Sequence, residues 1–312
     1  MHPRIFISVA AYADPHLEYT LQSALRQAAH PEALVFGILN QTTTPLADKI
    51  TLQRFPVRLI QITPQESYGA AWARSVIQSL YDNEPYTLQI DSHMAFDPGW
   101  DTHLIDILEA LPGKPILSAY PYGYSRIGEK ITFDCEISPE TTLITRPMPD
   151  QILTPQNPVL RFHTRHLPER QPVLGSHIAG GFLFTTGDFL QEVPYDPQWY
   201  FHGEEQALTL RAFTNGWDVY HIPRIPLYHL YKQPNVDHRG HHWNKKWQRP
   251  ARQVAHLEAR AQQRLVDLIA DRIRGVYGLG GARSLTDFAI LSGINYRDCT
   301  ITEPANLAGR LL

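Results

Sequence analysis

The sequence predicts an α/β fold, an open and mostly parallel sheet with helices on both faces, followed by a small helical subdomain at the C-terminus. Three observations predict it. Compact apolar runs alternate with segments of helical spacing from Arg4 to Ala119. The connections between them are short, as in strand–helix–strand units that return to one sheet. Prolines and glycines fall at the ends of these segments in the first hundred residues, so the elements there have clear limits.

Taken in order, Arg4 to Ala10 is a continuous apolar run, as expected of a strand buried on both faces. Pro15 opens a helix with Leu17, Leu21, Leu25 and Ala28 on one face, and Pro31 closes it. Ala33 to Leu39 and Val57 to Ile62 are the next strands, and Gly69 to Leu80 the second helix. Tyr86 to Ile90 is a strand ending at Asp91. Pro98 starts a helix that buries Leu104, Ile107, Leu108 and Leu111, and Pro115 to Ala119 is a further strand.

From Pro139 to Pro172 the pattern breaks. Pro147, Pro149, Pro155, Pro158 and Pro168 exclude long helices and central strands, leaving a surface excursion with short strands such as Val159 to His163. Order returns with a strand from Ile178 to Phe184 and a helix from Glu204 to Asn215, for which Gly216 is the stop. Trp217 to Ile222 and Leu227 to Tyr231 are expected strands, and a long amphipathic helix is expected from Ala251 to Arg274. The expected domains are therefore a catalytic domain over 1–248 and a helical subdomain over 249–312.

Composition narrows the function. With 312 residues and 43% hydrophobic side chains the chain can bury a sizeable core. Its 28 basic and 31 acidic side chains give a formal charge of −3, which argues against broad attraction to nucleic acid or membrane surfaces. Cys135 and Cys299 lack metal-ligand spacing and fit reduced thiols in a reducing compartment. No apolar run reaches spanning length, so a cytoplasmic protein without a membrane span is expected.

Ligands of open α/β sheets sit beyond the carboxyl ends of the strands, which places Ala11-Tyr12, Asn40-Gln41 and Asp91-Ser92-His93 on one rim. Residues two apart in a strand project to the same side, so Asp91 and His93 address one object. A carboxylate and an imidazole suit Mn²⁺ best, with Zn²⁺ or Mg²⁺ less well matched. His229, a lone polar residue between aromatics and leucines, is the candidate third ligand; a buried core histidine is the alternative. Gly69 sits where a helix starts, a position that offers backbone N–H groups to anions. Arg74, just inside that helix, is placed to pair with the nucleotide or with Asp91, or simply to face solvent. Glu204 and Glu205 open a helix: they are candidate catalytic residues for sugar or acceptor, or only favourable N-terminal charges. Gly180-Gly181 would let backbone approach a sugar closely.

These segments together resemble a known family. Ile5 to Asp14 (I-F-I-S-V-A-A-Y-A-D), Asp91-Ser92-His93-Met94-x-Phe96, the Gly180-Gly181 strand, the Gly203-Glu204-Glu205 helix start and then His229 recur in this order. They are similar to the cytoplasmic hydroxyproline N-acetylglucosaminyltransferases and their bacterial relatives. More distantly, they resemble the mucin-type N-acetylgalactosaminyltransferases. The resemblance covers residues 4 to 232. The tail run Tyr277-Gly278-Leu279-Gly280-x-x-Arg283-Ser284-Leu285 and Gly293-Ile294 also matches, less specifically.

The resemblance implies a GT-A fold, Rossmann-like, that moves a sugar, N-acetylglucosamine first, from a UDP-sugar to an acceptor hydroxyl with retention. Mn²⁺ or another divalent cation such as Mg²⁺ would be held by Asp91, His93 and His229, with Asp91 and Ser92 also near the donor. Ala11 and Tyr12 would line the uracil pocket, with Gly69 and Arg74 close to the nucleotide. Gly180, Gly181, Glu204 and Glu205 would face the transferred sugar and the acceptor. The acceptor stays open among protein, glycan, modified nucleobase and small molecule. Two rivals are a metal-dependent hydrolase using the same three ligands and a non-catalytic nucleotide-sugar or glycan-binding module. The segment 237–247, rich in His, Trp and Lys, is a linker, a lid over the diphosphate, or an acceptor patch. The long C-terminal helix is a candidate surface for a homo-oligomer, packing within the chain being the alternative.

Overall fold

The structure is a computed structural model and describes residues 2–43, 46, 55–128, 130–134, 141–231, 254–304 and 307. The segment 237–247, the boundary at 248–249, Cys135 and the start of the C-terminal helix lie outside the described residues.

The expected alternation of strands and helices is present. The first part of the chain runs β1 (Ile5–Tyr12), α1 (Leu17–Gln27), β2 (Leu34–Gln41), β3 (Val57–Ile62), α2 (Ala70–Gln78), β4 (Tyr86–Asp91), β5 (Met94–Phe96), α3 (Trp100–Glu109) and β6 (Pro115–Ser118). Next come β7 (Tyr122–Ile127), β8 (Lys130–Phe133), β9 (Thr142–Pro147), β10 (Phe162–Leu167), β11 (Val173–Leu174) and β12 (Phe182–Thr186). The last part holds α4 (Phe189–Glu192), α5 (Glu204–Thr214), β13 (Asp218–His221), β14 (Leu227–His229), α6 (Val254–Ile269), α7 (Leu285–Ser292), β15 (Ile294–Asn295) and β16 (Thr300–Ile301).

Eight strands form the main sheet in the order β11-β13-β6-β12-β4-β1-β2-β3. Strands β1 to β4 are mutually parallel, whereas β12 runs antiparallel to both β4 and β6. Every residue of β2 is buried, as its unbroken apolar pattern requires of a central strand. The apolar side chains of β1 alternate between two clusters, Ile5, Ile7 and Val9 in one and Phe6 in the other, so the sheet is covered on both faces.

Three elements depart from the sequence reading. The strand expected from Ile178 begins only at Phe182, because the chain turns at Ala179–Phe182 and the Gly180 peptide is drawn into side-chain hydrogen bonds. The proline-rich stretch is less superficial than expected: β9 is buried along its whole length and pairs antiparallel with β10. The expected Val159 to His163 strand is shifted to β10, three residues later at its start and four at its end. Of the second sheet, β5-β14-β7-β8, the sequence reading has only β14, as part of Leu227 to Tyr231; β5, β7 and β8 are three to six residues long and leave no clear pattern.

α5 is buried on almost every side. Its first turn carries Glu204 and Glu205, and its stop is Gly216, at a φ of 90° that only glycine adopts readily. The tail caps this helix. Arg283 donates from Nε to the Phe213 carbonyl at 2.9 Å and from Nη2 to the Trp217 carbonyl at 2.6 Å, and pairs with Asp218. Ala261, Leu265 and Leu268 of α6 and Phe288 of α7 share one apolar cluster with Ala207, Leu208 and Leu210 of α5. No helix among the described residues is long and apolar enough to cross a membrane.

Arg283 adds a second donor to the Phe213 carbonyl, which also accepts from the Gly216 N–H at 3.0 Å, and supplies one to the Trp217 carbonyl just past the helix, so its loss removes both bonds. Arg283→Ala is expected to lower the unfolding free energy by about 2 kcal/mol. Chemical denaturation measures this; a midpoint equal to that of the parent would refute the capping role.

Candidate functional site

The site forms where β4 ends. Gln89, Asp91 and His93 alternate with Ile90 and Ser92, which turn inward. His229 arrives from the far end of the sequence because β14 pairs antiparallel with β5, with His229 opposite Met94, the residue after His93. A backbone bond from Leu230 to the His93 carbonyl, 3.0 Å, locks this register.

The expected three ligands therefore meet. His229 Nε2 lies 3.1 Å from Asp91 Oδ2 and 3.1 Å from His93 Nε2. The candidate donor atoms of all three residues fall within 4.8 Å of one another. Ligands at right angles around a cation roughly 2.0–2.2 Å away are about 2.8–3.1 Å apart, so the separations and the mixed N,O chemistry both fit a divalent cation. Burial alone would raise the Asp91 carboxyl. The hydrogen bond to His229, and the neighbouring His93 and Arg74, instead hold it well below the usual carboxylate range.

Beside this cluster Arg74 is buried, not facing solvent. Its guanidinium donates to Glu204 Oε1 at 2.5 Å, Asp91 Oδ1 at 3.2 Å and the Gly180 carbonyl at 2.8 Å. Gln89 also donates to the Gly180 carbonyl, at 2.8 Å, and to the Tyr195 hydroxyl at 2.9 Å. Glycine is required here by proximity: a Cβ on Gly180 would stand 2.7 Å from Arg74 Nη1, and one on Gly181 would stand 2.9 Å from Asp91 Oδ2.

The two adjacent glutamates have different surroundings. Glu204 is buried, and its Oε2 has no hydrogen-bond partner among the described residues. Burial pushes its carboxyl up to about 7, with Arg74 opposing and Glu205 adding to the rise. Glu205 Oε1 accepts from the Gly180 N–H at 2.6 Å, while Oε2 accepts from the Tyr120 hydroxyl at 2.7 Å and faces His177 Nε2 at 3.4 Å. Burial would raise Glu205 too, but these donors, His177 first, keep it below its ordinary value.

A cavity of about 450 Å³ opens onto these groups. Asp91, Arg74, Gly180, Gly181, Glu204 and Glu205 line it, together with the apolar Met148, Leu160, Phe162 and Phe201.

The remaining expected residues lie nearby in different ways. Tyr12 is on the rim, half-buried, and its hydroxyl donates to the Pro64 carbonyl at 3.3 Å. Ala11 is fully buried in the core, so the end of β1 presents Tyr12 and not Ala11. Ser92 is buried and donates to Asp14 at 2.6 Å. Gly69, at a φ of 105°, lets the chain pass the Tyr200 backbone, and the first N–H of α2, on Ala70, is taken by the Tyr200 carbonyl. Sequence reasoning missed Asp14, Gln89, Tyr120, His177 and Tyr195. Asp14 and Gln89 had a signal, one at the end of the β1 run and the other in phase with Asp91; the other three had none.

A family profile, Glycosyltransferase (GlcNAc), matches residues 42–296, most of the chain. The chain belongs to this glycosyltransferase family. Among solved structures, GalNAc-T7 with UDP, GalNAc and Mn²⁺ superposes with a TM-score of 0.56 at 13% identity, over 74% of this chain and 44% of that one. S. aureus TarS 1-349 in complex with UDP-GlcNAc gives a TM-score of 0.46 at 12% identity, over 74% of this chain and 60% of that one. The chain thus spans about half the length of the structures it matches. The likeness to GalNAc-T7 shows the GT-A fold. No curated protein sequence matches the chain significantly.

Because Glu204 titrates near 7 when folded against 4.5 as an ordinary carboxyl, the folded state holds a proton the unfolded chain has lost between those values. Stability of the metal-free protein should therefore fall as pH rises from about 4.5 to about 7. Glu204→Gln should flatten that decline in a series of denaturation midpoints; parallel pH profiles for parent and variant would show the carboxyl is not raised.

Proposed function

We propose that the protein transfers N-acetylglucosamine from UDP-N-acetylglucosamine to an acceptor hydroxyl, with a divalent cation, Mn²⁺ first, held by Asp91, His93 and His229. The observation that carries the proposal is the meeting of these three side chains at the end of β4, beside a cavity of about 450 Å³. Membership of the Glycosyltransferase (GlcNAc) family supports the reaction class and the donor. The UDP, GalNAc and Mn²⁺ in the GalNAc-T7 structure support a nucleotide-sugar donor and the choice of ion.

Three protein ligands leave coordination positions open, as in catalytic metal sites. When bound, the cation supplies neutralisation of the charge that develops on the departing diphosphate. The protein's own groups do the rest. Arg74 keeps the Asp91 carboxylate in place while neutralising part of the charge that burial would penalise. Glu204 offers its Oε2, unpartnered among the described residues, to a sugar hydroxyl, and the glycine pair lets the donor approach the backbone. Tyr12 would stand at the edge of the uracil pocket.

Glu205 is an anchor in this reading. Its oxygens already face three donors and its basicity is depressed, so it is a poor base for the acceptor hydroxyl. Retention, in which the leaving phosphate takes the proton, is proposed on the family resemblance and not on Glu205, because Glu204, with its carboxyl raised to about 7, also lines the cavity. The Met148, Leu160, Phe162 and Phe201 wall would meet the acceptor. The finer kinship with hydroxyproline N-acetylglucosaminyltransferases, the cytoplasmic location and the division into a catalytic 1–248 and a helical 249–312 belong to the same proposal.

A panel of UDP-sugars with Mn²⁺, scored for binding and slow hydrolysis, tests the donor without knowledge of the acceptor. UDP-N-acetylglucosamine should be preferred, and chelation should abolish turnover. His93→Ala and His229→Ala should each reduce turnover to that of the chelated parent while circular dichroism stays unchanged. Near-normal, Mn²⁺-dependent activity in both variants would sink the ligand assignment. Free sugar released at one rate with or without candidate acceptors would favour a hydrolase.

A further inference from the structure

We infer that Asp14 is a positioning residue that sets the tautomer and orientation of His93, an inference that rests on the reading of His93 as a cation ligand. Asp14 follows β1 and its side chain is only 4% exposed. Its Oδ2 faces His93 Nδ1 at 2.6 Å and accepts from the Ser92 hydroxyl at 2.6 Å, while Oδ1 accepts from the His16 N–H at 2.8 Å. A buried carboxylate only accepts, so each atom turned toward it must donate.

The consequence for His93 is direct. A proton held on Nδ1 leaves the lone pair on Nε2, and Nε2 is the atom that faces His229 Nε2 at 3.1 Å. Without the carboxylate, the ring is free to carry its proton on Nε2, which would point an N–H at the place where a cation must sit.

The backbone supports a dedicated role. Ala13 adopts a φ of 45°, in the left-handed region that a non-glycine residue enters only at a cost. Its N–H is held by the Gln41 carbonyl at 3.0 Å. This turn brings Asp14 to Ser92 and His93, just past β4, and to the His16 N–H before α1.

The test uses the full-length protein and Mn²⁺ alone or with UDP, read by the electron paramagnetic resonance of free Mn²⁺. Asp14→Asn should weaken Mn²⁺ binding by about 10–100-fold with the metal-free melting temperature little changed. ¹⁵N-histidine spectra of the metal-free parent, with His93 assigned by its loss in His93→Gln, should show the proton on Nδ1. In Asp14→Asn the proton should redistribute toward Nε2. A parent His93 protonated on Nε2, or an Asp14→Asn variant with parental Mn²⁺ affinity, would overturn the inference. A parent that holds Nδ1–H yet binds no Mn²⁺ would instead remove the ligand reading beneath it.

Discussion

A single buried guanidinium, that of Arg74, joins the parts of this site. It reaches Asp91 at the end of β4, Glu204 at the start of α5 and the carbonyl of Gly180 before β12. A buried charge is tolerated only when paired and hydrogen-bonded, and here the requirement runs in both directions. Arg74 needs the carboxylates to stay charged in the interior, and the carboxylates need Arg74 to stand so close together. The planar fork of arginine can serve three acceptors at fixed angles, which a lysine ammonium could not reproduce.

That constraint explains why the sheet is mixed where it is. β12 enters between β4 and β6 in the opposite direction, so its beginning lies against the end of β4. The Gly180-Gly181 peptide is thereby laid directly over Asp91, too close for any side chain. Gln89, one pleat below Asp91, fastens the same carbonyl and ties it to Tyr195. A small second sheet delivers His229 from the opposite side through its pairing with β5. The groups of the candidate site thus rest on strand ends and on the starts of helices.

Adjacent residues of one helix turn have been given opposite electrostatic characters. Glu204 is buried with one oxygen unpartnered among the described residues and keeps its proton to near neutrality. Glu205, the next residue, is surrounded by donors and is readily ionised. Helical geometry points them in different directions, and the donors contributed by Tyr120, His177 and the Gly180 N–H meet only the second. A pair of carboxyls separated in this way has one member suited to sensing a ligand hydroxyl and one suited to holding structure.

The sequence by itself determined the α/β class, the order of the first strands and helices, and the alignment of Asp91 with His93. Each depends on local periodicity, which a linear pattern records faithfully. It also marked His229, as an isolated polar residue in an apolar run, and the stop of α5 at Gly216. Only the tertiary structure decided that Arg74 is interior, that Ser92 faces away from the cleft, and that β12 starts after the glycine pair. It alone decided which partners Glu204 and Glu205 have, and that Asp14 stands behind His93. The physical reason is that burial, pairing and the direction of a titration depend on neighbours tens of residues away, set by strand order and register. Residue type and spacing carry no record of those neighbours.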